Sequence, residues 1–389
     1  MKIVYNDGLK IIAAENGKTT EYGCDFHAKY IEAAKKAEKS AEWKTQGDGA
    51  RFMGTRKNVD VEKADVSYYN SLNFFGSPDK ILFSITVNGL SGVLTKDLTA
   101  EKDSEGHIIH SREHIFNGAE PSVDGRSFVT CIKEDYVNAH LAVYNLDTDD
   151  YMLVTDGDSC DADAVYSVKD PNKIYFSSKG AGRDDHGEFV KYSPSSILSY
   201  DTENGDVQEI MTDGKMSFVK PKDDKDGNLY YIIKPYSEKK RGFWGTILDI
   251  ILLPWRLLKA IYNFFEFFTI AFTGKGFTEK SDNPAKSRDK SQKELFIEDN
   301  LVNADREYKK NLRHKDNYAG IAPWDWKLVK RTPEGTVTTI KNGVIDYCVL
   351  PDGGVVYTNG KHVIKLSADG KTEKIADTSL CTKVALYVD

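Results

Sequence analysis

Short apolar runs, each opened by a polar turn, occupy most of this chain. "GSPDKILFSI", "SVDGRSFVTC", "VKDPNKIYFS", "DKDGNLYYII" and "LPDGGVVYTN" share one plan: Asp with Gly, Pro or Asn in a tight turn, then a run of β-branched, aromatic or aliphatic residues. Asp and Gly supply the turn geometry, and the run that follows reads as a strand. The marker residues are Asp79, Asp124, Asp170, Asp226 and Asp352, and the first three stand 45 and 46 residues apart. A second set of turns, "NLDTDDYMLV", "YDTENGDVQEI", "KRTPEGTVTTI" and "LSADGKTEKI", follows within the repeats, each preceded by a strand and followed by a shorter one. The repeat is therefore four strands in about 40–50 residues, the period of a propeller blade.

The two ends complete each other. "IVYNDGLKIIAAENGKTTEY" aligns with "VVYTNGKHVIKLSADGKTEKI" and starts at the second strand of a repeat, whereas "CTKVALYVD" is a first strand with nothing after it. Joining them predicts an all-β, six-bladed β-propeller whose C-terminal strand completes the first blade, Val384–Val388 beside Ile3–Tyr5, and removes two open edges. The blades span 1–22 with 380–389, 66–117, 118–158, 159–214, 215–343 and 344–379, so 1–389 reads as a single propeller.

The stretch "SVDGRSFVTCIKEDYVNAHLAVYNLDTDDYMLVTDG" resembles the WD40-like repeat of TolB-type six-bladed propellers, in its Ser-x-Asp-Gly turn and its Leu-Asp pair before the last hairpin turn. The resemblance covers about two thirds of the chain, implies the fold, and says little about activity. No leader and no separate N-terminal domain is read ahead of the first strand, so a role other than that of periplasmic TolB is expected. The chain also resembles cytoplasmic bacterial propellers with a helical insertion.

Two insertions break the repeat. Residues 24–65, between blades one and two, contain "HAKYIEAAKKAEKSAEW", a helix by propensity. Residues 237–322 interrupt blade five, leave and return to adjacent strands, and read as replaceable by a short turn. Both leave the same face of the disc, as does the loop "KGAGRDDHGEFVKYSPSS", and that face is expected to be the working one.

The second insertion holds the most apolar stretch of the chain, Phe243–Phe272, with four charged residues in thirty. On a helix, Asp249, Arg256, Lys259, Asn263 and Glu266 share an arc of about 100° and the remaining circumference is apolar. Pro254 predicts a kink or break near Leu253. A single membrane crossing is excluded because it would leave paired strands on opposite sides of the bilayer, and two crossings need roughly 40 apolar residues. An amphipathic contact is expected instead. Its apolar residues are Trp244, Ile247, Leu248, Ile251, Leu252, Trp255, Leu258, Phe264, Phe265, Phe267 and Phe268, with Lys239, Lys240 and Arg241 suited to anionic headgroups. The candidate occupants are a membrane surface, a protein partner or a second copy in a homo-oligomer, and the propeller itself. Beyond it, "KGFTEKSDNPAKSRDKSQK" reads as a polar linker and "ELFIEDNLVNADREYKKNLRHK" as a charged helix.

Composition narrows the function classes. The net charge is −7 with signs interspersed, and no basic stripe lies outside the second insertion, so no nucleic-acid partner is expected. The five cysteines, Cys24, Cys131, Cys160, Cys348 and Cys381, form no CxxC and read as thiols of a reducing compartment. The chain has no phosphate-binding, dinucleotide-binding, nucleophile-elbow or zinc-protease motif, and neither cofactor nor metal is assigned. His107, His110 and His114 read as solvated strand histidines, since four strand residues span about 13 Å. The loop residues Arg183, Asp184, Asp185, His186 and Glu188 form the candidate ligand loop, with carboxylates beside a histidine suited to acid–base work or cation binding. The expected function is a non-enzymatic binding scaffold, cytoplasmic and peripheral on the inner face of a membrane or held by an apolar partner. The alternative is a hydrolase or lyase with acidic or His residues at the mouth of the central channel.

Overall fold

Aspartate turns open hairpin after hairpin. Asp124 Oδ1 accepts from Ser122 Oγ at 2.6 Å and from the Arg126 N–H at 3.1 Å, and Asp352 Oδ1 accepts from the Gly354 N–H at 2.9 Å. In "DKDGN" it is Asp224, rather than the expected Asp226, that accepts from the backbone of Asp226 and Asn228. Such side chain-to-backbone bonds are local, which is why the turns are readable in sequence.

The computed structural model describes residues 1–41, 66–100, 104–236, 294–297, 300–314 and 316–388. The strands in chain order are β1 (Lys2–Asp7), β2 (Lys10–Glu15), β3 (Lys18–Tyr22), β4 (Ser67–Phe74), β5 (Lys80–Val87), β6 (Leu90–Asp97), β7 (Glu105–Ser111), β8 (Ile115–Pro121), β9 (Ser127–Lys133), β10 (Ala139–Asn145), β11 (Asp150–Leu153), β12 (Ser159–Tyr166), β13 (Lys173–Arg183) and β14 (Phe189–Tyr192). They continue with β15 (Ser196–Asp201), β16 (Val207–Met211), β17 (Met216–Asp223), β18 (Leu229–Pro235), β19 (Glu294–Ile297), β20 (Asn300–Asn303), β21 (Lys327–Arg331), β22 (Val337–Asn342), β23 (Asp346–Val349), β24 (Val355–Thr358), β25 (His362–Leu366), β26 (Thr372–Asp377) and β27 (Val384–Tyr387).

These strands form propeller-like antiparallel sheets: β27-β1-β2-β3, β4-β5-β6-β7, β17-β18-β21-β22 and β23-β24-β25-β26. A nine-stranded sheet holds β8 to β16, its two halves joined by one parallel pair, Ala139 with Cys160. The lead strands touch in a closed cycle, β27 to β4, β8, β12, β17, β23 and back to β27. Buried aromatic and aliphatic residues fill the space between neighbouring sheets, as in the cluster of Leu82, Val93, Phe116, Phe128 and Tyr144.

The chain ends meet as expected. β27 pairs antiparallel with β1, Leu386 opposite Ile3 and Val384 opposite Tyr5. Asn6 and Asp7 lock the junction: Asn6 Oδ1 accepts from the backbone N–H groups of Thr382 and Lys383, and Asp7 Oδ1 from those of Ser379 and Leu380.

By contacts the chain divides into two units, one of 1–27, 66–236 and 293–389, the other of 28–65 and 237–292. The first unit holds the sheets; of the second, only the helical residues 28–41 are described. The expected helix is α1 (Asp25–Ala41). Its first turn is capped from β7, where the Glu105 carboxylate accepts from the N–H groups of Asp25 and Phe26 at 2.8 Å each and also binds the buried Lys96 ammonium at 3.1 Å. A carboxylate at a helix N-terminus satisfies both orphan donors and the helix dipole.

The end of the second insertion corrects the sequence reading. "ELFIEDNLVNADREYKKNLRHK" is not one helix. β19 and β20 form a hairpin, Leu295 opposite Val302 and Phe296 opposite Leu301, before α2 (Ala304–Asn311). The Leu-Phe-Ile and Leu-Val runs favour strands, and the helix begins only where Asn303 Oδ1 accepts from the Arg306 N–H at 3.0 Å. The last residues of the insertion also pack into the core. Val302, Ile321 and Ala322 are buried with Tyr230, Ile345 and Tyr357 in one core cluster. At Gly320 a Cβ would stand 2.3 Å from Asn359 Cγ, and at Gly360 (φ +90°) 2.4 Å from Ile321 Cγ1, so the returning segment packs tightly against the 359–360 turn.

Candidate functional site

Strands β4, β8, β12, β17 and β23, with the start of β27, line one cavity of about 70 Å³, called the channel below. Polar residues enter it from each: Asn70 and Asn73 from β4, Asn117 and Glu120 from β8, Asp163 from β12, Lys220 and Lys222 from β17, Asp346 from β23 and Lys383 beside β27. Strand alternation alone would turn only every second side chain inward. Bulges re-aim the rest: the register shifts in β4 after Tyr69, in β8 after Asn117, in β12 after Ala162 and in β17 after Val219. Asp163 and Lys220 both take the left-handed backbone at φ 55°, a conformation that costs a residue with a side chain and persists only where surroundings impose it.

Their surroundings are each other. The Lys220 ammonium stands 3.2 Å from Asp346 Oδ1 and 3.8 Å from Asp163 Oδ1, with side-chain exposures of 7%, 9% and 18%. The Lys220 N–H donates to Asp163 Oδ2 at 3.1 Å, and Ser177 Oγ donates to the same oxygen at 2.9 Å. Asp346 Oδ2 accepts from the Val384 N–H at 2.9 Å, and the Tyr347 hydroxyl donates to the Lys220 carbonyl at 2.6 Å. The buried charges are thus satisfied by groups from several strands at once.

A second group lies beside the first. The Lys222 ammonium sits 5.6 Å from the Tyr347 ring centre and 3.9 Å from Cys348 Sγ. Burial works against its charge, but the fields of Cys348, Asp346 and Glu120 outweigh it and raise its pKa. Burial likewise raises the Glu120 carboxyl above its usual range, with Lys222 opposing and Asp346 adding. Burial pushes the Cys348 thiol up to about 11, against the pull of Lys222. That thiol donates to the Val384 carbonyl at 3.2 Å and is a poor nucleophile in this state.

The sequence-derived loop is built differently. Arg183 binds Asp158 through Nε at 2.8 Å and Nη2 at 2.7 Å, and donates through Nη1 to the Gly187 carbonyl at 3.0 Å. Asp184 Oδ1 accepts from the His186 and Glu188 N–H groups at 2.9 Å each. Asp185, His186 and Glu188 are exposed. The arrangement makes a turn between β13 and β14, tied through Arg183 to Asp158 ahead of β12. His107, His110 and His114 lie on or just after β7, with the rings of His107 and His110 6.3 Å apart edge to face. Among the described residues no His, Cys, Asp and Glu group has metal-holding geometry, and no helix is long and apolar enough to cross a membrane. The contact residues between Lys239 and Phe268 lie outside the described residues.

Sequence reasoning missed the channel group. Its members stand in mixed polar and apolar runs such as "CDADAV" and "FVKPKD", which carry no local signal that sets them apart from ordinary strand alternation.

No protein-family model and no curated protein matches the sequence. Among solved structures, TolB from Acinetobacter baumannii is similar at TM-score 0.51 and 13% identity, over 99% of this chain and 66% of that one. A nidogen/laminin complex is similar at TM-score 0.49 and 8% identity, over 99% of this chain and 97% of that one. An oligogalacturonate lyase from Vibrio parahaemolyticus is similar at 0.41 and 12%, over 81% and 79%. The last two likenesses are too distant to add anything, and at 13% identity the first speaks to architecture alone. This chain therefore has a propeller fold similar to that of TolB, whose length it spans by about two thirds.

Proposed function

We propose that the chain is a non-enzymatic binding propeller of six blades, closed by β27 and held at a membrane surface or apolar partner by the amphipathic segment within 237–272. The filled channel supports a binding role without catalysis. Lys220 pairs with both Asp163 and Asp346, and the remaining cavity of about 70 Å³ has room for only a few waters. Sites for organic ligands run to about 300–1,000 Å³. The cycle of lead-strand contacts supports six blades. The wide apolar arc of Phe243–Phe272 supports docking, and the five free cysteines suit the cytoplasmic side.

Two measurements test this reading. Flotation with neutral vesicles, together with sizing, should show the parent bound to lipid or self-associated. Replacing Phe264, Phe265, Phe267 and Phe268 with Ser should abolish that with the fold intact; a parent that is monomeric and indifferent to lipid removes the docking proposal. Truncation after Thr378 should abolish the cooperative melt, and an unchanged melt removes the closed ring.

One observation favours a hydrolase or lyase. Glu120, a carboxyl of raised pKa on the cavity wall within the field of the Lys222 ammonium, has the character of an acid–base group. On that reading the parent shows a hydrolase or lyase activity that Glu120→Gln lacks.

A further inference from the structure

The helix α2 carries four cations at one spacing: Arg306, Lys309, Lys310 and, just past its end, Arg313. Offsets of three, four and seven residues place them on an arc of about 100°. All four are exposed. Asp305 and Glu307 flank this arc, and Glu307 Oε1 meets Lys310 Nζ at 2.6 Å, so Lys310 is partly offset and Arg306, Lys309 and Arg313 carry most of the positive charge of the face. The chain as a whole is acidic, at −7. A concentrated basic face therefore runs against its composition.

The face is rigidly mounted. The opposite side of α2 is pinned by Asn311, 3% exposed, whose amide donates to the Gly320 carbonyl at 2.8 Å and the Ala322 carbonyl at 2.7 Å. Ala322 belongs to the main core cluster, so the helix is fixed to the propeller. Beyond it, the His314 and Trp324 rings stack at 4.2 Å. In the sequence α2 follows the apolar run Phe243–Phe272, which Lys239, Lys240 and Arg241 precede, so basic groups stand on both sides of that run.

We infer that Arg306, Lys309, Lys310 and Arg313 form a contact surface for anionic lipid headgroups. The inference rests on the membrane docking proposed above and adds the lipid class. Apolar insertion is indifferent to headgroup charge, whereas each cation near an anionic surface strengthens binding about fivefold, the equivalent of about 1 kcal/mol, and salt weakens it.

The test is co-sedimentation of the full chain with phosphatidylcholine vesicles and with vesicles containing about one third phosphatidylserine. The parent should bind the anionic vesicles at least tenfold more tightly. The variant R306Q/K309Q/K310Q/R313Q should lose most of that increment and keep its binding to neutral vesicles and its melt. The charge-conserving variant R306K/K309R/K310R/R313K should behave as the parent, which guards against a folding defect. Neutral binding with no anionic increment, or an increment the Gln variant retains, overturns the inference and leaves the docking proposal standing. A parent that binds neither vesicle overturns the inference, and a parent that is also monomeric on sizing overturns the docking proposal with it. A Gln variant that loses binding to single-stranded DNA but not to anionic vesicles overturns the lipid assignment in favour of nucleic acid.

Discussion

The channel group around Lys220 and the loop around Arg183 are both ion-paired and both rich in aspartate, yet they are built on opposite principles. In the loop, Asp184 is satisfied by backbone two and four residues away, and the Arg183–Asp158 pair lies in solvent. In the channel, Lys220, Asp163 and Asp346 come from three sheets, and the neighbouring pair Lys222 and Cys348 is 126 residues apart. Solvent supports the loop charges; only the packed sheets support those of the channel. The same residue types therefore make a surface turn in one place and a cross-sheet lock in the other.

Four substitutions sharpen this contrast. Lys220→Met strands two carboxylates in a buried site and should cost about 3–5 kcal/mol in denaturant unfolding. Loss below about 1 kcal/mol would mean that water already screens the group. Gly320→Ala tests whether the returning segment belongs to the core: its Cβ would overlap Asn359, at a cost of about 1–3 kcal/mol. A neutral result would show that residues 318–322 yield easily.

Glu120→Gln gives a smaller effect with a definite sign. The fold holds the Glu120 proton more tightly than the unfolded chain does. This contribution is fully present below the usual carboxylate range and is lost as pH rises through the raised value. Parent and variant should match in acid, and the variant should be the more stable at pH 8, read as the difference in melting midpoints. A parent that gains stability relative to the variant between acid and pH 8 would reverse the assignment. Arg183→Ala should leave the melt within error, because its pair is exposed. A clear drop would mean the loop bears structural load.

How much was legible follows from the range of each interaction. The turn at Asp124 is closed by atoms two residues apart, so "SVDGRS" carries the whole instruction. The cap on α1 is the opposite case: Glu105, 80 residues beyond Asp25, supplies it. "LFI" and "NLV" illustrate a third, in which a charged surrounding reads as helix until the two runs find each other across a hairpin. Asp163 and Lys220 carry no local mark of their left-handed backbone, which neither residue adopts without the contacts that enforce it.

The sequence by itself determined the repeat, the turn positions, the strand alternation and the pairing of the two ends, because these rest on local backbone preferences and on a period that recurs along the chain. The tertiary structure alone decided which polar side chains share the channel, how bulges turn them inward, and that residues 302–322 join the core while the loop at 183–188 stays in solvent. Those outcomes depend on desolvation and on partners brought together when the sheets pack, and neither quantity exists until the sheets have assembled.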